Sequence, residues 1–490
     1  MNMAKPPENP RKVALDIIDA YFSHGGQLKD IISEALNSSD LKEHDRRFVF
    51  NLAKGTVRYY LRADFFISGL SSRSTDKIDP SILNILRMGV YQAHFMDSVP
   101  AYSAVNESVK LSHKVSRSAS GFVNAVMRRI TEIREPEGFI KKTLGRKKAS
   151  RVNIISNLYS FPEWIIKYWI KHFGEETALR ICRKLNQVPS SYIWHNINSY
   201  KKEYPEKMDA VSSLLEDLEN INAAPIDLDR RRAESLDNEF KQVFLPVIDS
   251  IGKSRDLIFK EAARIGSTMG LKRNELFLKG IVTVQDLSSQ MGIKYFLDPQ
   301  PGETILDCCA APGGKTSFAW LLMKGSGSIT AVDKSNEKIA LLKENMARLG
   351  MANIKTVISD ASRDGFLGDL PKEYFDRIIV DAPCTALGTI AKNPEVKYNR
   401  SYDDMERLSS LSVRILSACH PYLKPGGRMM FYTCTISPVE NGQTVRKFIE
   451  SVDGKYLIAQ TAGIDMELQM MPYYLDSEGG YVCTLEKKYA

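Results

Sequence analysis

The sequence predicts three domains. An N-terminal all-α bundle spans 1–140, a linker and small α+β segment spans 141–280, and a Rossmann-like α/β domain with a doubly wound sheet spans 281–490. Three observations lead there. A chain of 490 residues exceeds what one hydrophobic core organises. Residues 10–131 carry apolar side chains at helical spacing with no strand-like alternation. From Gly280 onward, short apolar runs alternate with helical stretches, the pattern of a parallel sheet wrapped by helices.

In the first segment Val13, Ile17 and Tyr21 share one helix face. Phe48, Leu52 and Val57 mark a second face. Leu83, Ile85, Leu86, Val90 and Tyr91 mark a third, and Val105, Val109 and Leu111 a fourth. Pro80 and Pro100 sit where helices begin, a position that tolerates proline. From Glu132 to Arg151 the chain is charged and without apolar periodicity, so a linker or exposed loop is expected. Pro162 opens a helix through Trp164, Ile165, Tyr168 and Trp169, and 176–186 continues helical. Between 190 and 280 the pattern is weak: Tyr192–Trp194 and Val243–Leu245 read as strands and 208–219 as a helix.

In the third segment strands are expected at Thr304–Cys309, Ser328–Val332, Lys355–Ser359, Arg377–Val380 and Met429–Tyr432. Helices are expected at Thr316–Met323, Asn336–Leu349, Met405–Leu423 and Val439–Val452. Two late strands, near Tyr456–Ile458 and Tyr481–Leu485, would add an antiparallel hairpin.

Charge is unevenly spread. Residues 1–150 hold 24 Lys+Arg against 16 Asp+Glu, which accounts for the whole net charge of +8. Within 110–151 there are 12 basic and 3 acidic residues. Such a block suits a polyanion, most simply nucleic acid, although Lys141–Arg151 alone reads equally as a solvated linker. No apolar run is long enough for a membrane span. Met1–Arg11 lacks the apolar core of a secretory signal. Seven cysteines, an odd number with no zinc-type spacing, point to a reducing cytoplasm and no metal site. Cys182 and Cys419 fall in helical patterns and read as plain buried thiols.

Ile305-Leu306-Asp307-Cys308 runs into Cys309-Ala310-Ala311-Pro312-Gly313-Gly314-Lys315, a strand, a tight turn and a helix start. That is where an open α/β sheet binds nucleotide-like ligands. Neither a P-loop nor Gly-x-Gly-x-x-Gly is present, so the turn does not wrap several phosphates. Asp333 and Asp360 end the next two expected strands and could meet ribose hydroxyls and an adenine amino group. A lone aspartate there is more often an N-cap. Three of them, with Asp381, argue for a nucleoside without a phosphate chain, S-adenosylmethionine first.

Cys384 in Asp381-Ala382-Pro383-Cys384 and Cys434 in Thr433-Cys434-Thr435 each follow a strand. Two thiols beside a methyl donor suit methylation at carbon 5 of a pyrimidine. Thiolate addition to carbon 6 makes carbon 5 nucleophilic, and the thiol leaves once the carbon-5 proton is removed. Asp381 could bind the ring nitrogen and amino edge of cytosine. Spacing does not say which cysteine attacks.

These residues resemble the RNA (cytosine-5)-methyltransferase family in Cys309–Lys315, Asp381–Cys384, Thr433-Cys434 and Ser437-Pro438-Val439-Glu440-Asn441. Gln285-Asp286-Leu287-Ser288-Ser289-Gln290 is similar to the lead-in of that catalytic domain. The resemblance implies that Cys434 is the nucleophile and Cys384 assists release. It further implies that Cys309, Ala310, Ala311, Pro312, Gly313, Gly314, Lys315, Asp333, Asp360 and Asp381 bind S-adenosylmethionine or line its site. The N-terminal part resembles the NusB-like RNA-binding domain in Asp45–Phe48, Gly55–Arg58, Val105–Val109 and Phe122–Arg128. The combination is similar to bacterial 16S ribosomal RNA cytosine-5 methyltransferases, which implies 16S rRNA, in the small subunit or its precursor, as partner; the expectations beside it are no membrane and a monomer. Two other functions fit less: a transfer-RNA methyltransferase of the same chemistry, and an RNA-binding ribosome-assembly factor without activity.

Overall fold

Residues 8–71, 73–226, 261–268, 270–461 and 463–489 are described by a computed structural model. They fall into two units. The first holds the residues up to Gln187 together with Ile390–Asn399, and the second holds Val188–Thr389 and Arg400 onward.

The first unit is helical: α1 (Pro10–His24), α2 (Leu28–Asn37), α3 (Glu43–Arg58), α4 (Tyr60–Ser71), α5 (Pro80–Phe95), α6 (Ala101–Val115) and α7 (Ser120–Thr131). α8 (Pro136–Arg146), α9 (Arg151–Tyr159) and α10 (Glu163–Leu185) follow. Asn9 caps α1 through its side chain, Asp79 caps α5, and Pro10 and Pro80 occupy first-turn positions. The faces anticipated from spacing supply the core, with Ile17, Tyr21, Leu52, Val57, Leu86 and Val90 all buried. The stretch expected to be a charged linker is instead partly helix. α8 buries Ile140 and Leu144, one turn apart, and leaves its lysines in water. Burying those two side chains stabilises α8 by about 1.5–3 kcal/mol each, enough to anchor a short lysine-rich helix. α10 breaks at Gly174, whose φ of +78° suits glycine.

Ile390–Asn399 completes this core. Lys397 is fully buried, and its Nζ donates to the carbonyls of Arg58 and Ser160 at 3.1 Å and to Asn186 Oδ1 at 2.8 Å. Burial pushes that ammonium well below its ordinary pKa. Glu395 accepts the N–H of Leu28 at 3.2 Å.

The second unit begins with a small antiparallel sheet of order β2–β3–β1–β4: β1 (Ser191–His195), β2 (Ala223–Pro225), β3 (Ala262–Ile265) and β4 (Val282–Val284). α11 (Ile197–Glu203) and α12 (Ala210–Asn220) pack with it. The expected strand at Tyr192–Trp194 and helix at 208–219 are both present. Val243–Leu245 lies outside the described residues.

Next comes an eight-stranded sheet: β5 (Thr304–Asp307), β6 (Ser328–Asp333), β7 (Ile354–Ile358), β8 (Phe375–Asp381), β9 (Leu423–Thr433), β10 (Tyr456–Ile458), β11 (Glu467–Met470) and β12 (Gly480–Lys487). The order is β10–β12–β9–β8–β5–β6–β7, with β11 also on β12. β9, β8, β5, β6 and β7 are parallel, and β12 runs antiparallel to β9. α13 (Gly314–Leu322), α14 (Asn336–Arg348), α15 (Tyr402–Cys419) and α16 (Gly442–Ser451) cover it. The two late strands do pair antiparallel, but β12 sits between β10 and β9 rather than closing a tight hairpin. α16 begins at Gly442, not Val439, because the residues before it form a turn whose side chains serve the neighbouring loops. The central strands are apolar on both faces, as a sheet covered by helices requires. Among the described residues, no helix is long and apolar enough to cross a membrane, and no group of three or more His, Cys, Asp or Glu could hold a metal ion.

Candidate active site at the carboxyl edge of the parallel sheet

β8 and β9 are neighbours in register, with Asp381 opposite Tyr432. The N–H of Ala382 donates to Tyr432 O at 2.9 Å and that of Gly388 to Cys434 O at 3.1 Å, which holds the two following loops side by side. Cys384 Sγ and Cys434 Sγ are therefore 3.3 Å apart. Gly388 admits no side chain, since a Cβ there would lie 1.8 Å from Gly479 O. The Cys384 thiol beside it, together with burial, raises the Cys434 thiol well above its ordinary pKa. That direction favours the protonated thiol at Cys434.

Lys315, in the first turn of α13, donates to Asp381 Oδ2 at 2.7 Å. Burial alone would lower its pKa, but the adjoining Asp381 carboxylate outweighs that and raises it. The ammonium lies 4.1 Å from the centroid of the Tyr432 ring. Tyr432 OH is 2.9 Å from Ser288 Oγ and accepts from Ser289 Oγ at 3.3 Å. Asp286 Oδ1 takes the Ser288 N–H at 3.0 Å. The Gln285–Gln290 segment thus packs on Tyr432 next to the Lys315–Asp381 pair.

The loop after β5 is pinned by the N–H of Ala310 to Val332 O at 2.9 Å. Gly313, with φ +100°, precedes α13, and a Cβ there would meet Leu342 Cδ1 at 2.3 Å. Its smallness answers to helix packing rather than to ligand approach. Burial raises the Cys309 thiol well above its ordinary pKa. Asp333 and Asp360 each accept the N–H of the residue two ahead, Ser335 and Ser362, at 3.0 Å. Both therefore cap a turn, as a lone aspartate would, and the Ser362 hydrogen bonds hold Asp360 below the usual carboxylate range. They nonetheless end β6 and follow β7, next to the strand that carries the loop.

Two residues to which sequence alone assigns no role lie beside the start of α13. Asp307, at the end of β5, is wholly buried; its Oδ2 accepts from Thr316 Oγ1 at 2.7 Å, while Oδ1 has no hydrogen-bond partner among the described residues. Burial pushes its carboxyl up to about 7. Gln285 is buried with both amide atoms unpartnered among the described residues, its Nε2 3.8 Å from where a Gly314 Cβ would be. Buried polar atoms seldom go unpaired without a ligand, water or ion. Asp307 had a signal, being a strand-end aspartate like 333 and 381; Gln285 had only its motif.

The other cysteines separate from this pair. Cys308 Sγ and Cys419 Sγ meet at 2.8 Å inside the apolar core, and Cys182 and Cys483 are buried.

Residues 294–486 match the family model of the 16S rRNA methyltransferase RsmB/F, and residues 8–132 that of the NusB family. The probable ribosomal RNA small subunit methyltransferase B of Synechocystis sp. is 30% identical over 467 residues, covering 93% of this chain and 94% of its own length. That of Bacillus subtilis is 28% identical over 489 residues, covering 98% of each. The crystal structure of PH0851 covers 99% of this chain and all of its own with a TM-score of 0.73 at 21% identity. NSun6 from Pyrococcus horikoshii, solved with SFG, covers 68% of this chain and all of its own with a TM-score of 0.52 at 22% identity. Those two likenesses bear on the fold alone. Matched along nearly its whole length, the chain belongs to the ribosomal RNA small subunit methyltransferase B family, with a NusB domain ahead of a Rossmann-like RsmB/F methyltransferase domain.

Proposed function

We propose that this protein methylates carbon 5 of a cytosine in 16S ribosomal RNA, with S-adenosylmethionine as donor, through a covalent Cys434–carbon 6 adduct. One observation carries the reading: the two strand-end thiols stand 3.3 Å apart beside an Asp–Lys pair. The Cys308–Cys419 pair is at least as close but lies inside the apolar core, whereas these two thiols follow strand ends next to charged side chains.

The donor has residues that fit it. Asp307 Oδ1 and the Gln285 amide lack partners among the described residues beside the Cys309–Lys315 loop, and Asp333 and Asp360 offer carboxylates along the same sheet edge. Cys309, Ala310, Ala311, Pro312, Gly313, Gly314, Lys315, Asp333, Asp360 and Asp381 would hold or line S-adenosylmethionine. When bound, it supplies the methyl group.

The protein's own residues do the rest. A base takes the Cys434 proton, and the sulfur bonds carbon 6 as the carbon 5–carbon 6 double bond breaks and its electron pair moves to carbon 5. Asp381, charge-balanced by Lys315, hydrogen-bonds the cytosine edge and stabilises that adduct. Once carbon 5 is methylated, a base takes its proton, the carbon 5–carbon 6 double bond re-forms and the carbon 6–sulfur bond breaks. Cys384 assists that elimination. The 12 basic side chains of 110–151 are all exposed in the first unit and suit contact with RNA phosphates. A cytoplasmic monomer fits this role.

The test uses 16S rRNA from cells lacking the protein, incubated with methyl-labelled S-adenosylmethionine. Label at one 5-methylcytosine, located by bisulfite sequencing, is expected. Label on transfer RNA alone would move the substrate, and no label on any RNA would end the reading.

A further inference from the structure

The turn Ser437–Asn441 carries two buried side chains that reach both thiol-bearing loops. Asn441 Oδ1 accepts from Thr433 Oγ1 at 2.6 Å, and its Nδ2 donates to Thr435 O at 3.0 Å. It therefore grips the residues on either side of Cys434. Gln469 Oε1, 2.8 Å from the same Nδ2, fixes which way the amide points. Glu440 reaches across to the other loop. Its Oε1 accepts the N–H of Thr385 at 2.7 Å, and its Oε2 accepts from Thr385 Oγ1 at 2.6 Å. Oε2 also lies 3.4 Å from Thr435 Oγ1, and the two threonine hydroxyls meet at 2.9 Å. Thr385 follows Cys384, and Thr435 follows Cys434. Thr385, Thr433, Thr435, Glu440 and Asn441 are at most 1% exposed.

We propose that Glu440 is a positioning residue that, within the frame set by the backbone bonds of Ala382 and Gly388, fixes the Cys384 thiol relative to Cys434, while Asn441 independently holds Cys434. The proposal rests on the catalytic reading of Cys384 and Cys434. A buried carboxyl is costly, and core filling alone would not select one. Here its acceptor oxygens satisfy a buried N–H and two hydroxyls that no apolar side chain could serve. The bonds are asymmetric in consequence. Removing Glu440 loosens the Thr385 end of the loop after Cys384, which stays tied through the Ala382 and Gly388 N–H groups and through Arg400 Nε on Thr385 O, whereas the Asn441 grip on Cys434 remains whole. Attack should therefore survive and release should fail.

The experiment uses the full chain, hypomethylated 16S rRNA and S-adenosylmethionine, and reads covalent protein–RNA complex on denaturing gels over time. Glu440→Ala is expected to form the complex and to release it on the order of 10²-fold more slowly, as a displacement of about 1 Å in a reacting group can cause. Glu440→Gln, whose carbonyl still accepts the Thr385 N–H, should restore release. Thr385→Val, which keeps the N–H and loses the hydroxyl, should fall between and serves if Glu440→Ala does not fold. A second arm needs no RNA. Diamide takes up two electrons and two protons as the Cys384–Cys434 bond forms, and closure should be slower in Glu440→Ala and near normal in Glu440→Gln. Normal release in Glu440→Ala and Thr385→Val would overturn the proposal. So would loss of attack and release together with a lowered melting temperature. Cys384→Ala runs in parallel: if it traps no complex, the two-cysteine reading itself fails and the proposal falls with it. If it traps complex and Glu440→Ala does not, only the role of Glu440 is lost.

Discussion

Lys315 Nζ donates to Asp381 Oδ2 at 2.7 Å and lies over the ring of Tyr432, so one ammonium joins the helix after β5 to the strand end before Cys384. With its side chain only 12% exposed, Lys315 leaves Asp381 an unbalanced charge when removed. Asp381→Asn is expected to lower kcat/KM by about 10²–10⁴-fold, the span of a missing hydrogen-bonding or proton-handling group. Lys315→Ala should lose comparably, and the double variant should lose much less than the product of the two. Label-transfer kinetics on the four proteins check this; full additivity would mean that the pair does not act as a unit.

Cys434→Ala should abolish both transfer and covalent complex while leaving cofactor binding intact by calorimetry. Cys384→Ala should leave a protein–RNA complex that survives denaturing gels. Turnover retained in the first, or no trapped complex in the second, would reverse or remove the assigned roles.

Asp307 is the buried carboxyl whose pKa burial lifts from 3.8 to about 7. A carboxyl raised on folding binds its proton more tightly in the native state than in the unfolded one. Its contribution to stability is thus full below about pH 4 and is lost as pH climbs through about 7. The melting temperature of the wild type should fall relative to that of Asp307→Asn between pH 5 and pH 8. Parallel curves for the two proteins would say that Asp307 titrates normally.

Gly388→Ala puts a methyl group 1.8 Å from the carbonyl oxygen of Gly479, a rigid backbone atom. The loops must part, at a cost of about 1–3 kcal/mol or more. A lowered melting temperature and loss of covalent complex are expected together. A variant as stable and as active as the wild type would mean that the loop pairing is not needed.

Reversing the charge of Lys141, Lys142, Arg146, Lys147 and Lys148 should weaken RNA binding most at low salt. The slope of log affinity against log salt should flatten by roughly 0.7–0.9 for each RNA phosphate that is no longer neutralised. An unchanged slope, measured by filter binding, would leave this block as a solvated helix surface.

The large sheet was legible because β5, β6, β8 and β9 are short apolar runs between helical stretches, and the partnership of the loops after β8 and β9 follows from their order in the sheet. The meeting of the two sulfurs was expected from two strand ends beside one methyl donor, but their 3.3 Å separation was not readable, because the thiols are fifty positions apart in sequence and register sets the distance. α8 was missed because two apolar side chains in a lysine-rich segment make no visible period, and tertiary burial decided the outcome. In the small sheet β1 was read at Tyr192–Trp194, but β2, β3 and β4, three or four residues long, are too short to show alternation. Glu440 and Asn441 could be quoted as letters of a motif, but what they hold depends on a loop from elsewhere in the chain. The same holds for Lys397, a lysine whose burial nothing local announces.

Ile390–Asn399 gives the N-terminal bundle an unusual timetable. The carbonyls of Arg58 and Ser160 and the amide oxygen of Asn186 are made early, yet the ammonium they share belongs to residue 397. During synthesis at about 5–20 residues per second, those three oxygens wait on the order of tens of seconds after Gln187 is joined. A fragment ending at Gln187 would never supply their donor. The helices at the front of the chain are thus finished only after a lysine 211 positions beyond Asn186 has been made.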